Sequence, residues 1–383
     1  MRVHTIRALC AVAAGAAILP LGLAGTAGAA ASPACRTHPV IAYVVNQMSG
    51  TVTPIRTVTN TAGKAINVGK YPYAVAITPN GKTAYVVNTF LDTVTPIRTA
   101  TGMAGKPIKV GQNPEVIAIT PNGRTAYVVS PGPGTVTPIF TATNTADKPI
   151  KVGSFPWDIA ITPNGKTAYV VNNGSGTVTP IRTATNTAGK PIKVGLTPRA
   201  IAITPNGRTA YVVSEFPATV TPIFTATNTA GKPIKIPYSS SYVPSSTPGQ
   251  RIIVSTPDGR TVYAVSDTTG TVTPIFTATS TAGKPIKVGK DPYNLAITPN
   301  GRVAEVVNQA SDTVTPIFTA TNTAGKPVPV GSEPWAVAIT PDGRTAYVVN
   351  NGSDTVTPIS ILTGRAGQAI SVGSAPISIA ITP

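Results

Sequence analysis

The chain has 383 residues, of which 42% are hydrophobic, 5% aromatic and 11% charged, with 30 basic against 13 acidic residues and a net charge of +17. Apolar content at that level excludes an intrinsically disordered chain, and 35 Gly with 39 Pro stay below the fraction that marks unpatterned low-complexity sequence. The dominance of Thr, Val, Ala, Pro and Gly favours strands and turns, which excludes a helical bundle or coiled coil.

Residues 1–31 carry Arg2 and Arg7, run apolar from Ala8 to Leu23 and end in small residues, the pattern of a secretory signal peptide with cleavage expected after Ala29 or Ala31. Pro20 and the Gly/Ala-rich tail interrupt the run too early for a membrane anchor, and no later stretch is apolar enough to span a bilayer. The protein is therefore expected outside the cytoplasm, secreted or at the cell surface. Cys10 leaves with the signal, so Cys35 stands alone and no intrachain disulfide is expected. Ser32-Pro33-Ala34 lacks the Leu of a lipobox, and lipid anchoring at Cys35 is not expected. Without Arg2 and Arg7 the balance is 28 − 13 = +15. A charge of that sign points to an anionic envelope polymer or a glycan as partner, with no specific nucleic acid target.

After a short linker, residues 32–37, one repeat accounts for residues 38–383. The pentapeptide TVTPI starts at Thr51, Thr93, Thr135, Thr177, Thr219, Thr271, Thr313 and Thr355, in steps of 42 with a single step of 52. The longer step marks an insertion near residues 236–250. A 42-residue period in strand-rich sequence is the signature of propeller blades, four-stranded sheets that bury their faces only against each other.

Within one unit, residues 74–78 predict strand A, Pro79-Asn80-Gly81 a turn, residues 83–88 strand B, residues 93–99 strand C and residues 106–110 strand D. Strand C carries a Pro, such as Pro96, which cannot donate to a ladder, and a bulge is expected there. The first unit begins at strand B and the last ends in a strand A, ISIAITP. Three strands from the front and one from the back complete a blade, so eight blades are expected to close into a ring as one monomeric all-β propeller, with seven blades as the alternative.

AYVVN, repeated with variations beside AITPNGKT and TVTPI, resembles the YVTN-repeat β-propeller family of exported and cell-surface proteins. The resemblance implies the fold and the exported setting; it assigns no activity, because a fold hosts many functions.

Alternating strand direction places the A–B and C–D turns on one face and the D–A and B–C loops on the other. The A–B turn is nearly constant as P-N/D-G-K/R, whereas the D–A and B–C loops differ from unit to unit, so variation collects on one face. On that face, directly after the Pro that leads into strand A, stand Tyr73, Glu115, Trp157, Arg199, Tyr293, Trp335 and Ile377. Around a channel mouth such aromatics with an Arg suit stacking on sugar rings or holding an anionic group; they equally suit a simple apolar lid. Tyr238 and Tyr242 of the insertion belong to the same face. Lys82, Arg124, Lys166, Arg208, Arg260, Arg302 and Arg344 follow the A–B turn glycine, and their repetition reads first as a solubility device. Glu305 replaces the Tyr of AYVVN and is expected near an edge or paired with a Lys.

His38 is the one His left after signal removal, so no Ser-His-Asp or Cys-His set can be assembled, and the carboxylates fall singly in loops. The expected function is noncatalytic binding through the variable face, with no cofactor and no metal. The alternatives are a lyase or hydrolase acting at the channel and a structural surface-coat unit.

Overall fold

The structure is a computed structural model that describes residues 39–237 and 252–383. The signal, the linker, Cys35, His38 and the tyrosines Tyr238 and Tyr242 lie outside the described residues. Eight sheets stand in a closed circle, and strand A of each is a neighbour of strand A in the next, from the first blade round to the eighth and back. No helix among the described residues is long and apolar enough to cross a membrane.

Blade 2 shows the pattern: strand A is Pro72–Ile77, B is Thr83–Asn88 and C is Thr93–Arg98. The outermost strand is split into Met103–Ala104 and Ile108–Lys109, both paired with strand C. That split overturns the expected bulge at Pro96. Strands B and C run in unbroken register, with Tyr85 opposite Pro96. The Pro96 carbonyl faces outward and accepts from Gly105 N at 2.7 Å, so its nitrogen, which has no hydrogen, also faces the gap in the outer strand. No ladder bond is lost, and the strand does not bend.

The bulges lie elsewhere. In strand A of six blades the register slips by one residue directly after the leading Pro, as between Pro72 and Ala74, Pro156 and Asp158, or Pro334 and Ala336.

The core lies between blades. Alternate residues of strand B face opposite neighbours, so Tyr347 and Val349 of blade 8 pack with Ala42, Val44 and Ile379 of blade 1 in one slab. Each fully buried Val or Ile here contributes roughly 1.5–3 kcal/mol. The strand B tyrosine also ties the blades together: Tyr85, Tyr127, Tyr169, Tyr263 and Tyr347 each donate to an Asn in the C–D turn of the next blade, as Tyr127 Oη does to Asn186 Oδ1 at 2.7 Å. Burial pushes the Tyr85 hydroxyl up to about 12, so it stays a donor.

Closure is as the repeat count requires. Strand A of blade 1 is Pro376–Ile381 and pairs with strand B, Ile41–Asn46, with Val44 opposite Ile379. Beyond the ladder Ile41 N donates to Thr382 Oγ1 at 2.9 Å, and Thr382 N donates to the Ile41 carbonyl at 2.9 Å.

Candidate functional site

The strand A bulges build the mouth on the variable face. The extra residue of each bulge is Tyr73, Trp157, Arg199, Tyr293, Trp335 or Ile377, and a bulge re-aims the side chain it carries. Blade 3 lacks the extra pair: its strand A begins at Val116, and half-buried Glu115 donates its backbone N–H to the Val129 carbonyl at 3.0 Å. Arg251 occupies the equivalent place in blade 6 and lies outside the described residues.

The mouth residues form two groups. In the first, the rings of Tyr293 and Trp335 lie 5.3 Å apart at 36°, and Trp335 packs onto the buried cluster that holds Tyr73 and Ile377. Gln309 braces this group: with its amide oxygen toward the indole it accepts from Trp335 Nε1 at 2.8 Å, and its nitrogen donates to Asp291 Oδ2 at 3.2 Å. Burial raises the Asp291 carboxyl above its ordinary value.

In the second group the Arg199 guanidinium lies 5.0 Å from the centre of the Trp157 ring, a cation–π contact. Its Nε and Nη2 donate to the two carboxylate oxygens of Glu215 at 2.7 and 3.0 Å, and each side chain keeps only about a tenth of its surface exposed. The pair is bidentate and shielded from water, so loss of either partner strands a buried charge. Glu215 occupies the fork of Arg199, the mouth residue expected to hold an anionic group. Next to Trp157, Asp158 is wholly buried. Its Oδ1 accepts from Ile159 N at 2.6 Å and its Oδ2 from Ile201 N of the following blade at 2.9 Å, which joins blades 4 and 5 at the axis.

Further out on the same face the Tyr71 and Phe90 rings meet at 4.5 Å, and Phe155, Leu196 and Phe216 are exposed. Acidic residues gather there too. Asp92, Asp312 and Asp354 in the B–C loops each accept a backbone N–H from the next D–A loop, at 2.7 to 2.8 Å. These loop clamps, and the pair Arg199–Glu215, are interactions that sequence spacing alone does not reveal. Among the described residues no three His, Cys, Asp or Glu side chains come together around one point.

Two family models match parts of the chain: "Lactonase, 7-bladed beta-propeller" over residues 159–336 and "YNCE-like beta-propeller" over residues 2–129. No curated protein matches. Among solved structures the chain is similar to hydrazine synthase of Kuenenia stuttgartiensis, at 24% identity and a TM-score of 0.63 over 76% of this chain and 95% of that one. It is also similar to AztD of Citrobacter koseri, at 12% and 0.68 over 90% and 97%. The dihydro-heme d1 dehydrogenase NirN, in complex with DHE, matches at 14% and 0.74 over 92% and 77%. At these identities the likeness is one of fold. The circle of eight sheets and both family models, one of them of seven blades, agree on the fold, and the chain is a β-propeller protein.

Proposed function

We propose that the protein is an exported, noncatalytic propeller that binds a glycan of the cell envelope or extracellular space through its variable face. The observation that carries this reading is the pair of half-buried indoles at the mouth, Trp157 and Trp335, each backed by fixed neighbours rather than left mobile. A rigid indole offers a flat apolar surface to the CH face of a sugar ring at little cost in side-chain entropy. Carboxylates of the surrounding loops, such as Asp354 and Glu333, offer acceptors for sugar hydroxyls. Within these loops the acids Asp92, Asp291, Asp312, Glu333 and Asp354 outnumber Lys70 and Lys290, which favours an uncharged or weakly charged glycan over a polyanion at the mouth. Export rests on residues 1–31, whose Arg-then-apolar pattern is that of a signal peptide.

The test is retention of the purified protein on isolated cell envelopes and on a panel of immobilised glycans. Trp157→Ala with Trp335→Ala is expected to lower retention about tenfold or more, in line with removal of two stacking surfaces. Undiminished retention removes the mouth from the account. Turnover of a glycan by the unmodified protein replaces the binding reading with an enzymatic one.

A further inference from the structure

The opposite face, built from the A–B and C–D turns, has a different chemistry. Each A–B turn is closed by its own residues: Thr120 Oγ1 donates to Asn122 Oδ1 at 2.8 Å, and Asn122 Oδ1 also accepts from Arg124 N at 3.0 Å. Only backbone is tied down, so the side chain that follows the glycine projects into solvent. Lys82, Arg124, Lys166, Arg208, Arg260, Arg302 and Arg344 are all exposed.

The turns also touch each other. A Cβ placed on Gly123 would stand 3.3 Å from Pro79 Cδ of the preceding blade, one on Gly165 3.4 Å from Pro121 Cδ and one on Gly207 3.3 Å from Pro163 Cδ. The cations therefore form a contiguous ring around the axis, one from each of blades 2 to 8, and Pro383 abuts Gly81 at the remaining place.

The ring is not uniform. In blades 6 and 8 the turn Asn is replaced by Asp258 and Asp342, which lie 3.9 Å from Arg260 Nε and Arg344 Nε. In blades 2 to 5 the turns keep Asn80, Asn122, Asn164 and Asn206, and among the described residues none of Lys82, Arg124, Lys166 and Arg208 has a carboxylate within ion-pair distance. The C strands of these blades end in exposed Arg98, Phe140, Arg182 and Phe224, beside the same turns. One acid lies on this arc, Asp147 in the C–D turn of blade 3, and it is held by Lys148 N and Asn186 Nδ2.

We infer that the arc of A–B turns over blades 2 to 5 is a second binding surface, for a linear phosphate-bearing polymer. Four consecutive cations without carboxylate partners, fixed on a rigid ring, match a chain of repeated anions better than any single anion, because each further pairing is intramolecular. Guanidinium forks and lysine ammoniums are both suited to phosphate oxygens. The two faces then have separate ligands: an anionic polymer below and a glycan above.

Long-chain inorganic polyphosphate is the probe, with binding measured across a salt series. Arg124→Gln with Lys166→Gln and Arg208→Gln is expected to weaken binding about tenfold or more and to flatten the dependence of log K on log salt by about 2, roughly 0.7 for each phosphate no longer neutralised. The control on the same face, Arg260→Gln with Arg302→Gln and Arg344→Gln, makes the same change in net charge and is expected to stay within about threefold of the unmodified protein. If the first triple does not fold, the pair Lys166→Gln with Arg208→Gln takes its place. Equal losses in the two variants, no binding by the unmodified protein at about 50 mM salt, or displacement by orthophosphate at equal phosphate concentration would each overturn the proposal. Trp157→Ala with Trp335→Ala is expected to bind polyphosphate normally, so failure of the glycan reading leaves this result standing.

Discussion

Glu305 stands in strand B of blade 7, Val303–Asn308, where seven other blades carry a tyrosine. It is 3% exposed and its Oε2 has no hydrogen-bond partner, so the expected edge position or Lys partner is not what the fold supplies. The residue that would answer a tyrosine here, in the C–D turn of blade 8, is Gly364 instead of Asn. Both halves of one interblade bond are thus missing together. Burial raises the Glu305 carboxyl to about 7. Below the ordinary carboxyl value the group is protonated folded or unfolded and contributes nothing to the pH dependence. As pH rises from about 4.5 to about 7 only the unfolded chain releases its proton, so stability falls across that window by up to about 3 kcal/mol and then levels off. Thermal melts at pH 5 and pH 8 are expected to differ by several degrees for the natural protein and to converge for Glu305→Gln. Glu305→Tyr is expected to raise the melting temperature, since Tyr43, which faces Gly102 rather than Asn, still donates to the Thr99 carbonyl at 3.2 Å. A pH difference that persists unchanged in Glu305→Gln would place its origin elsewhere.

At the level of the element, the repeat was legible in the sequence because it is written in residue types that dictate local geometry. Pro79-Asn80-Gly81 specifies its turn through the Asn side chain and a glycine at φ +68, and the alternation of TAYVVN specifies a strand packed on both faces. Pro96 misleads for a physical reason: whether a proline breaks a ladder depends on which neighbour its nitrogen faces, and that neighbour, the split outer strand, is set by Gly105 and Pro107 ten residues on. The mouth residues were legible as a set because they share a place after a Pro. The bulge that aims them was not, nor was the pairing of Arg199 with Glu215 across it. Strand B and the C–D turn of the next blade meet through tyrosine, and the two parts of that interaction are separable. Tyr169 is wholly buried, and its hydroxyl donates to Asn228 Oδ1 at 2.6 Å. Tyr169→Phe removes about 1 kcal/mol, the net worth of one hydrogen bond. Tyr169→Ala also opens a cavity between blades 4 and 5 and is expected to lose about 3–5 kcal/mol. Denaturant midpoints that place the two variants together would mean that the ring contributes little and the bond nearly all.

For the whole molecule the decisive junction is the one that closes the ring, because each blade buries its faces only against two neighbours. Strand A of blade 1 contributes Ile377 and Ile379, both essentially unexposed, and Ile379 packs into the slab shared by blades 8 and 1 while Ile377 belongs to the cluster shared with blade 2. Deleting residues 377–383 therefore strips apolar surface from two interfaces and leaves the inner edge of strand B, Ile41–Asn46, without its ladder. Two buried Ile at roughly 1.5–3 kcal/mol each, with the lost backbone bonds, amount to at least several kcal/mol. In a domain of this length that lowers the melting temperature by about 5 °C or more. The exposed edge also predicts a change of state, since an unpaired, flat, apolar strand recruits another chain. Light scattering of the truncated protein should show concentration-dependent association beyond that of the full chain. The seven-residue peptide ISIAITP, added in excess, should reverse both effects by occupying the empty edge. Truncated protein that melts with the full chain and stays monodisperse would mean that seven blades and three strands hold their curvature without closure.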